Sequence, residues 1–152
     1  MSKLKTYAIS IIIPVLIGGI VGFLTSNSIN YNLLEKPFLS PPGIVFPIVW
    51  SILYVLMGIS YGILKNNSLT DSKINFIYFL QLFVNALWSI FFFNFEWRLF
   101  SFIWILLLLI LVIIMIVKFY QKNKISGLLQ IPYLLWVFFA TYLNLFFYLL
   151  NR

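Results

Sequence analysis

Three groups of polar and aromatic side chains recur at helical spacing and are the residues of this sequence that could form a binding site. Intervals of three or four residues place the members of each group on one helical face. The groups are Trp50, Tyr54, Gly58 and Tyr61; Gln81, Asn85 and Ser89 with Trp88 beside them; and Tyr133, Trp136, Ala140 and Asn144. Such faces can hydrogen-bond neighbouring helices, or they can line a pocket for a flat, apolar ligand.

The elements that must position these residues are membrane-spanning helices. Hydrophobic residues make up 63% of the 152 residues, charged residues only 9%, and the mean hydropathy is +1.07. A soluble domain needs more surface charge, and the apolar runs lack the alternation of a β-barrel. We predict an all-α membrane protein with one domain, residues 1–152, and five transmembrane helices of roughly 20 residues each. The predicted spans are 7–24, 44–64, 74–93, 99–117 and 127–150.

The residue types that are missing narrow the chemistry of the site. The sequence has no cysteine and no histidine, so it offers no thiolate, no imidazole base and no common ligand of zinc or haem iron. Its three acids, Glu35, Asp71 and Glu96, all fall in or beside predicted loops. Proton-coupled carriers usually place a carboxylate inside the membrane, and none is predicted there. We therefore predict a metal-free site of aromatic rings and neutral hydrogen-bonding groups.

Lysine and arginine are distributed unevenly between the two predicted sides of the membrane. Three of the ten, Lys36, Arg98 and Arg152, fall on one side. The other seven are Lys3, Lys5, Lys65, Lys73, Lys118, Lys122 and Lys124. The positive-inside rule then predicts a cytoplasmic N terminus and a first loop, residues 25–43, outside the cell. The net charge of +7 thus reflects topology, and we expect no nucleic-acid partner.

The first loop is dense in proline where it enters the second span. Pro37, Pro41 and Pro42 fix their own φ angles and hold the preceding residues extended. The segment 36–43, called the proline segment below, is therefore predicted to be stiff. Stiffness suits a lid over a cavity better than it suits a simple connector.

The positions of glycine, proline and branched aliphatic residues allow further predictions about helix packing. Gly18-x-x-x-Gly22 and Gly58-x-x-x-Gly62 permit close helix approach, either within one chain or between two chains. Pro132 is predicted to kink or loosen the fifth span. The fourth span is almost entirely leucine, isoleucine and valine, so we expect it to face lipid or another protomer.

A series of short motifs runs in order along nearly the whole sequence. They are Gly18-Gly19-x-x-Gly22, Tyr31, Lys36-Pro37, Pro41-Pro42-Gly43, Phe46, Val49-Trp50, Leu53-Tyr54, Gln81-Leu82-x-x-Asn85-x-x-Trp88-Ser89, Phe91-Phe92, Pro132-Tyr133-x-x-Trp136-x-x-Phe139-Ala140 and Leu143-Asn144. In order and spacing they resemble the TspO/MBR family of tryptophan-rich sensory and translocator proteins. Leu39 and Asn30 stand where many members of that family carry aromatic residues.

The resemblance implies a five-helix transmembrane bundle, commonly a homodimer in a bacterial cell membrane, with a pocket beneath the first loop. Members of the family bind porphyrins, including protoporphyrin and haem, and mitochondrial members bind cholesterol and benzodiazepine-type drugs. The expected ligand is therefore a tetrapyrrole or another hydrophobic small molecule, with no required cofactor. Carried over by motif, the predicted ligand-binding residues are Tyr31, Pro42, Phe46, Trp50, Asn85, Trp88, Phe91, Trp136, Ala140 and Asn144.

The resemblance also raises the question of catalysis. Some bacterial members are similar to slow photo-oxidative enzymes that degrade protoporphyrin, and Trp50 and Trp136 match the tryptophans tied to that chemistry. They are the predicted catalytic residues, acting as electron donors to a light-excited porphyrin. Two alternatives stay open: a transporter of tetrapyrroles or other lipophiles, and a sensory or regulatory binding protein without catalysis.

Overall fold

The computed structural model describes residues 2–25 and 34–152, and its regular elements are helices. In chain order they are α1 (Lys3–Thr25), α2 (Val45–Asn66), α3 (Ser72–Ser89), α4 (Arg98–Lys122), α5 (Lys124–Leu128) and α6 (Ile131–Leu150). A π-helical turn, Ile90–Asn94, extends α3.

Within residues 2–25 and 34–152, five helical segments are long and apolar enough to cross a membrane, which confirms the prediction of an all-α protein with five spans. They are Lys3–Thr25, Val45–Asn66, Ser72–Asn94, Arg98–Lys122 and Lys124–Leu150. Several extend further than predicted because their charged ends are helical as well. Lys122, for example, lies in the last turn of α4. Lysine is a good helix former, and a cation near a helix C terminus interacts favourably with the helix dipole.

The fifth span is divided near its start, just before Pro132. The five-residue helix α5 ends before a turn, and α6 begins at Ile131, so Pro132 lies in the first turn of α6. A proline at that position removes no helical hydrogen bond and has a φ angle already suited to a helix. The predicted loosening of the fifth span at Pro132 therefore takes the form of a break in the helix just before this proline.

Glycines bring α1 and α2 into direct contact. A Cβ atom at Gly58 would lie 2.6 Å from the carbonyl oxygen of Ser10 and would also overlap the backbone of Ile11. A Cβ atom at Gly62 would lie 2.7 Å from the ring of Tyr7. The Gly58-x-x-x-Gly62 motif therefore packs two helices of the same chain together, one of the two uses that the sequence allowed.

One face of α4 belongs to the core of the bundle, because α4 packs against both α3 and α6. Leu108, Val112, Met115 and Phe119 follow helical spacing on that face, and each is 0% exposed. Ile110 on the opposite face is 56% exposed. The expectation that this span faces lipid or another protomer is therefore wrong for the inner face. A helix that is apolar all round carries no pattern to show which side is buried.

A capping residue joins the start of α3 to the end of α4. The Asp71 carboxylate accepts a 2.8 Å hydrogen bond from the backbone N–H of Ile74 and forms a 3.0 Å salt bridge with Lys122. These interactions, the backbone hydrogen bond first, lower the pKa of Asp71. Both partners of the salt bridge are more than a third exposed, so its contribution to stability is small.

Candidate ligand-binding site

A cavity of about 540 Å³ lies between α1, α2 and the end of α3. Its volume is within the range of roughly 300–1,000 Å³ that is usual for small-molecule pockets. The lining residues are Val15, Gly18, Gly19, Gly22, Thr25, Gly43, Ile44, Phe46, Pro47, Trp50, Ser51, Tyr54, Ser89 and Phe93. The cavity thus has a wall of small residues on α1 and a wall rich in aromatic rings on α2.

The small residues of α1 have two different roles. A Cβ atom at Gly18 would overlap the ring of Tyr54, so this glycine is needed for helix packing. Apart from the adjoining residues and backbone of α1 itself, no described atom lies within 4 Å of the position that a Cβ would take at Gly19 or at Gly22. Close packing therefore occurs at the first glycine of the Gly18-x-x-x-Gly22 motif, whereas Gly19 and Gly22 leave room for the cavity.

Trp50 joins the cavity to a cluster of aromatic rings from three helices. Its indole lines the cavity and stacks on Tyr54, with ring centroids 5.7 Å apart. On the side away from the cavity, the centroid of its ring lies 6.4 Å from that of Trp88, 6.2 Å from that of Tyr133 and 6.3 Å from that of Trp136. A ligand that contacts Trp50 from the cavity would therefore be separated from aromatic side chains of α3 and α6 by the Trp50 ring alone.

Trp136 lies behind the cavity wall. Its ring contacts Phe46 at 5.9 Å and Trp50 edge-on at 90°, and both of those residues line the cavity. The indole Nε1 of Trp136 is buried and has no hydrogen-bond partner among residues 2–25 and 34–152. The two tryptophans predicted to be catalytic are thus in contact, but of the two only Trp50 is a lining residue.

Asn85 lies at the centre of a hydrogen-bonded network that connects α2, α3 and α6. Its Oδ1 accepts a 2.7 Å bond from the Tyr54 hydroxyl, and its Nδ2 donates a 2.7 Å bond to the Tyr133 hydroxyl. Tyr133 in turn donates to Oε1 of Gln81 at 2.7 Å. Asn85 is 1% exposed, so both of its polar atoms serve to join helices. A direct ligand contact by Asn85 stays a prediction.

Asn144 forms a second cross-link between helices. Its Oδ1 accepts a 2.9 Å bond from Nε1 of Trp88, and its Nδ2 donates a 2.9 Å bond to the carbonyl oxygen of Arg98. Ala140, one turn earlier on α6, is also buried. Trp88, Ala140 and Asn144 therefore lie in the core and not in the cavity wall, and their predicted role in binding stays a prediction.

Three consecutive phenylalanines in the π-helical turn point in three different directions. Phe93 lines the cavity and contacts Phe46 at 6.1 Å. Phe92 stacks on Trp88, whereas Phe91 packs against Trp104 on α4. The structure thus places Phe93 in the cavity wall and Phe91, the residue predicted from the motif, on the side of α3 that faces α4.

Hydrogen bonds join the proline segment, and the residue just before it, to α6 and to Asn151 at the end of that helix. The backbone N–H of Glu35, just before the segment, donates a 2.9 Å bond to Oδ1 of Asn151, and Nδ2 of Asn151 donates a 2.8 Å bond to the Glu35 carbonyl. The Tyr142 hydroxyl donates a further bond to the Phe38 carbonyl. These three bonds, called the α6 strap below, hold the segment to the bundle.

The structure brings some of the predicted binding residues to the cavity directly. Phe46 and Trp50 line it, and Pro42 immediately precedes the lining residue Gly43. Tyr31 lies outside the described residues. Two aromatic lining residues of the described chain, Tyr54 and Phe93, were absent from the set carried over by motif. The helical spacing from Trp50 had already placed Tyr54 on the same face, whereas a regular helical pattern cannot place Phe93, which lies within a π-helical turn.

These features define a class of protein: an integral membrane protein of five spans, with an aromatic cavity near one end of the bundle. Residues 10–149 match the sequence model of the TspO/MBR family. The chain therefore belongs to the TspO/MBR family.

Relatives from archaea, bacteria and animals support this assignment. The chain is 42% identical to the tryptophan-rich protein TspO of Archaeoglobus fulgidus over 154 residues, which cover 99% of each protein. It is 34% identical to the protein CrtK of Rhodobacter capsulatus over 88% of this chain and 85% of the relative. It is 32% identical to the human translocator protein over 75% of this chain and 70% of the relative.

Proposed function

We propose that this protein binds a tetrapyrrole, protoporphyrin or haem, in the cavity beside Trp50. The observation that carries the proposal is the position of this indole, which lines the cavity and contacts four further rings. A flat macrocycle in the cavity gains offset or edge contacts with such rings, each worth about 0.5–1.5 kcal/mol beyond area burial. Family membership and the cavity volume also support a ligand of this kind.

A cation near the cavity supplies polar recognition in this proposal, because Lys36 on the proline segment can pair with a propionate of the ligand. The sequence contains neither histidine nor cysteine, so the usual axial ligands of haem iron are absent. We therefore expect metal-free protoporphyrin to bind at least as well as haem. Binding of sterols or drug-like molecules in the same cavity stays a prediction.

The aromatic cluster also supports slow photochemical degradation of protoporphyrin. In this proposal the light-excited macrocycle takes one electron from the Trp50 indole, and dioxygen then adds to the reduced macrocycle. The dioxygen adduct returns the electron to the oxidised indole, so the net change is addition of one dioxygen to the macrocycle. Trp136 can share the electron hole with Trp50 in the interval, because the centroids of the two rings are 6.3 Å apart. Light supplies the driving force for this reaction, so it needs no general acid or base.

Illumination of the purified protein with bound protoporphyrin tests this function. We expect the Soret absorbance to decay in light and to persist in the dark. The Trp50→Phe variant keeps an aromatic ring but loses the electron donor, so its decay rate should fall by about tenfold or more, equivalent to ~1.4 kcal/mol. Its affinity for protoporphyrin, measured by titration in the dark, should change by much less.

Trp97→Phe is the matched control, because Trp97 is exposed and packs against Phe91 and Phe100, away from the cavity. It should degrade protoporphyrin at the unmodified rate. Binding without any light-dependent decay would instead favour a sensory or regulatory binding protein. Protein-dependent flux of protoporphyrin across vesicles would favour a transporter. Absence of binding would contradict all three forms of the proposal.

We also propose that the N terminus is cytoplasmic and the proline segment lies outside. Alternation of the spans puts Lys3, Lys65, Lys73 and Lys122 at one end of the bundle, which is the bias expected of a cytoplasmic face. The α6 strap lies at the other end. A homodimer in a bacterial membrane, as the family resemblance implies, stays a prediction.

Cysteine labelling tests the orientation, since the sequence contains no cysteine of its own. Glu35→Cys and Asn67→Cys lie at opposite ends of the bundle, and both positions are exposed. On intact cells, a membrane-impermeant thiol reagent should label Glu35→Cys, and it should label Asn67→Cys only after the cells are opened. The reverse pattern would show that the orientation is inverted.

A further inference from the structure

Two buried polar side chains have no part in the cavity or its aromatic cluster: Tyr78 of α3 and Gln130 immediately before α6. Tyr78 is 1% exposed and Gln130 is 0% exposed. Neither the Tyr78 hydroxyl nor either amide atom of Gln130 has a hydrogen-bond partner in the described parts of the chain. Burial of unpaired polar groups is strongly unfavourable, so native proteins satisfy them with other protein groups or with ordered water.

The register of α3 and α6 places these two residues at one level. Hydrogen bonds join Gln81 to Tyr133 and Trp88 to Asn144, so the two helices run in the same direction. Tyr78 precedes Gln81 by three residues, and Gln130 precedes Tyr133 by the same number. Three residues are close to one helical turn. Both unpaired groups therefore lie about one turn further from the cavity than the bond between Gln81 and Tyr133.

Contacts with α2 independently place Tyr78 and Gln130 within about one helical turn of each other. The ring of Tyr61 stacks on Tyr78 at 4.6 Å, and the neighbouring Ser60 hydroxyl donates a 2.7 Å bond to the carbonyl oxygen of Ser126. One turn of α2 thus lies beside both Tyr78 and Ser126. Gln130 follows Ser126 by four residues, which puts it on the next turn in the direction of the cavity.

We propose that the Tyr78 hydroxyl and the Gln130 amide hold one buried water molecule that bridges α3 and α6. A buried water needs two to four polar partners, and these two side chains supply three polar atoms. The ring of Tyr78 is held by stacking between Tyr61 and Phe119, so its hydroxyl stays directed into the bundle. Neutral hydroxyl and amide groups suit water better than an ion, since a buried ion needs compensating charge.

This bridge has a structural role of its own, separate from ligand binding. The network that starts at Tyr54 in the cavity wall passes through Asn85 and Tyr133 to Gln81. The water extends this network by another turn towards the start of α6. Three helices are thereby held together by hydrogen bonds over the half of the bundle below the cavity.

Stability measurements on single and double variants test the bridge. Tyr78→Phe and Gln130→Met each remove a partner of the water, so each should lower the melting temperature in detergent by about 3 °C or more. The double variant should lose clearly less than the sum of the two, because both changes remove the same bridge. In the control pair, Tyr61→Phe breaks a different bond, to Asn75, and its effect should add to that of Gln130→Met.

Two results would overturn the proposal. A rise in melting temperature in either single variant would show that the native groups are dry and unpaired, since their removal would then relieve a penalty. An additive double variant would show that they do not share a water. A high-resolution structure separates the bridge from a direct bond: a density peak within about 3.2 Å of both side chains supports it. A direct Tyr78–Gln130 hydrogen bond without that peak contradicts it.

Discussion

Replacing Gly58 with alanine is expected to lower the free energy of unfolding by about 1–3 kcal/mol or more, the usual cost of overpacking. The new Cβ atom would lie 2.6 Å from the carbonyl oxygen of Ser10 and 2.9 Å from the backbone nitrogen of Ile11. Backbone atoms of a packed helix cannot turn aside as a side chain can, so α1 must move away from α2. Thermal melting of the purified protein in detergent, followed by circular dichroism, measures the loss.

Gly19→Ala is the matched control, because it makes the same chemical change on the partner helix. No described atom lies within 4 Å of the new Cβ, and alanine is favoured over glycine in a helix by ~1 kcal/mol. The control should therefore melt at the unmodified temperature or slightly above it. Equal melting of the two variants would show that Gly58 does not set the distance between α1 and α2.

Filling the small-residue wall should abolish ligand binding while leaving the fold intact. In the variant Gly19→Leu with Gly22→Leu, two branched side chains occupy positions that now border open cavity. Protoporphyrin affinity should fall by about 100-fold or more, equivalent to ~2.7 kcal/mol. Titration with protoporphyrin in the dark measures this change, and the melting temperature without ligand should not decrease.

The control for this experiment adds bulk to the same helix outside the cavity. Leu16→Phe with Ile20→Phe changes two exposed residues of α1 that are not lining residues. Its affinity for protoporphyrin should equal that of the unmodified protein. Unchanged affinity in the leucine variant would place the ligand elsewhere, for example against Trp136 from the side of α6.

Composition and apolar run length were enough to predict the five spans, because a membrane helix must be long, apolar and internally hydrogen-bonded. The same information could not orient α4, whose apolar residues surround the whole helix. It also could not show whether Pro132 bends a continuous helix or begins a new one, since proline is unfavourable within a helix and favourable in its first turn. The two positions of a proline, inside a helix or in its first turn, differ only in where the helix starts. The uncharged sequence around Pro132 does not reveal that start.

The sequence predicted the candidate site only in part. The prediction was more informative for the aromatic side chains than for the amides. The helical stripe of α2 located Trp50 correctly in a cavity wall, because large rings and small residues together create irregular space. Amides such as Asn85 and Asn144 must face the interior in either interpretation, so their spacing could not distinguish a ligand contact from a helix cross-link. Their partners, Tyr54, Tyr133 and Trp88, became evident only when the register between helices was known.

A π-helical turn is geometrically an α-helix that has gained one residue, here within Ile90–Asn94, where the N–H of Phe95 bonds to the carbonyl of Ile90 at 3.1 Å. Deletion of one residue from it would restore the α-helical ladder and rotate the next side chains by roughly 100° about the helix axis. Phe93 would then leave the cavity wall. A relative with one residue fewer at this point would therefore present a different side chain to the pocket, even if all its helices matched those of this chain.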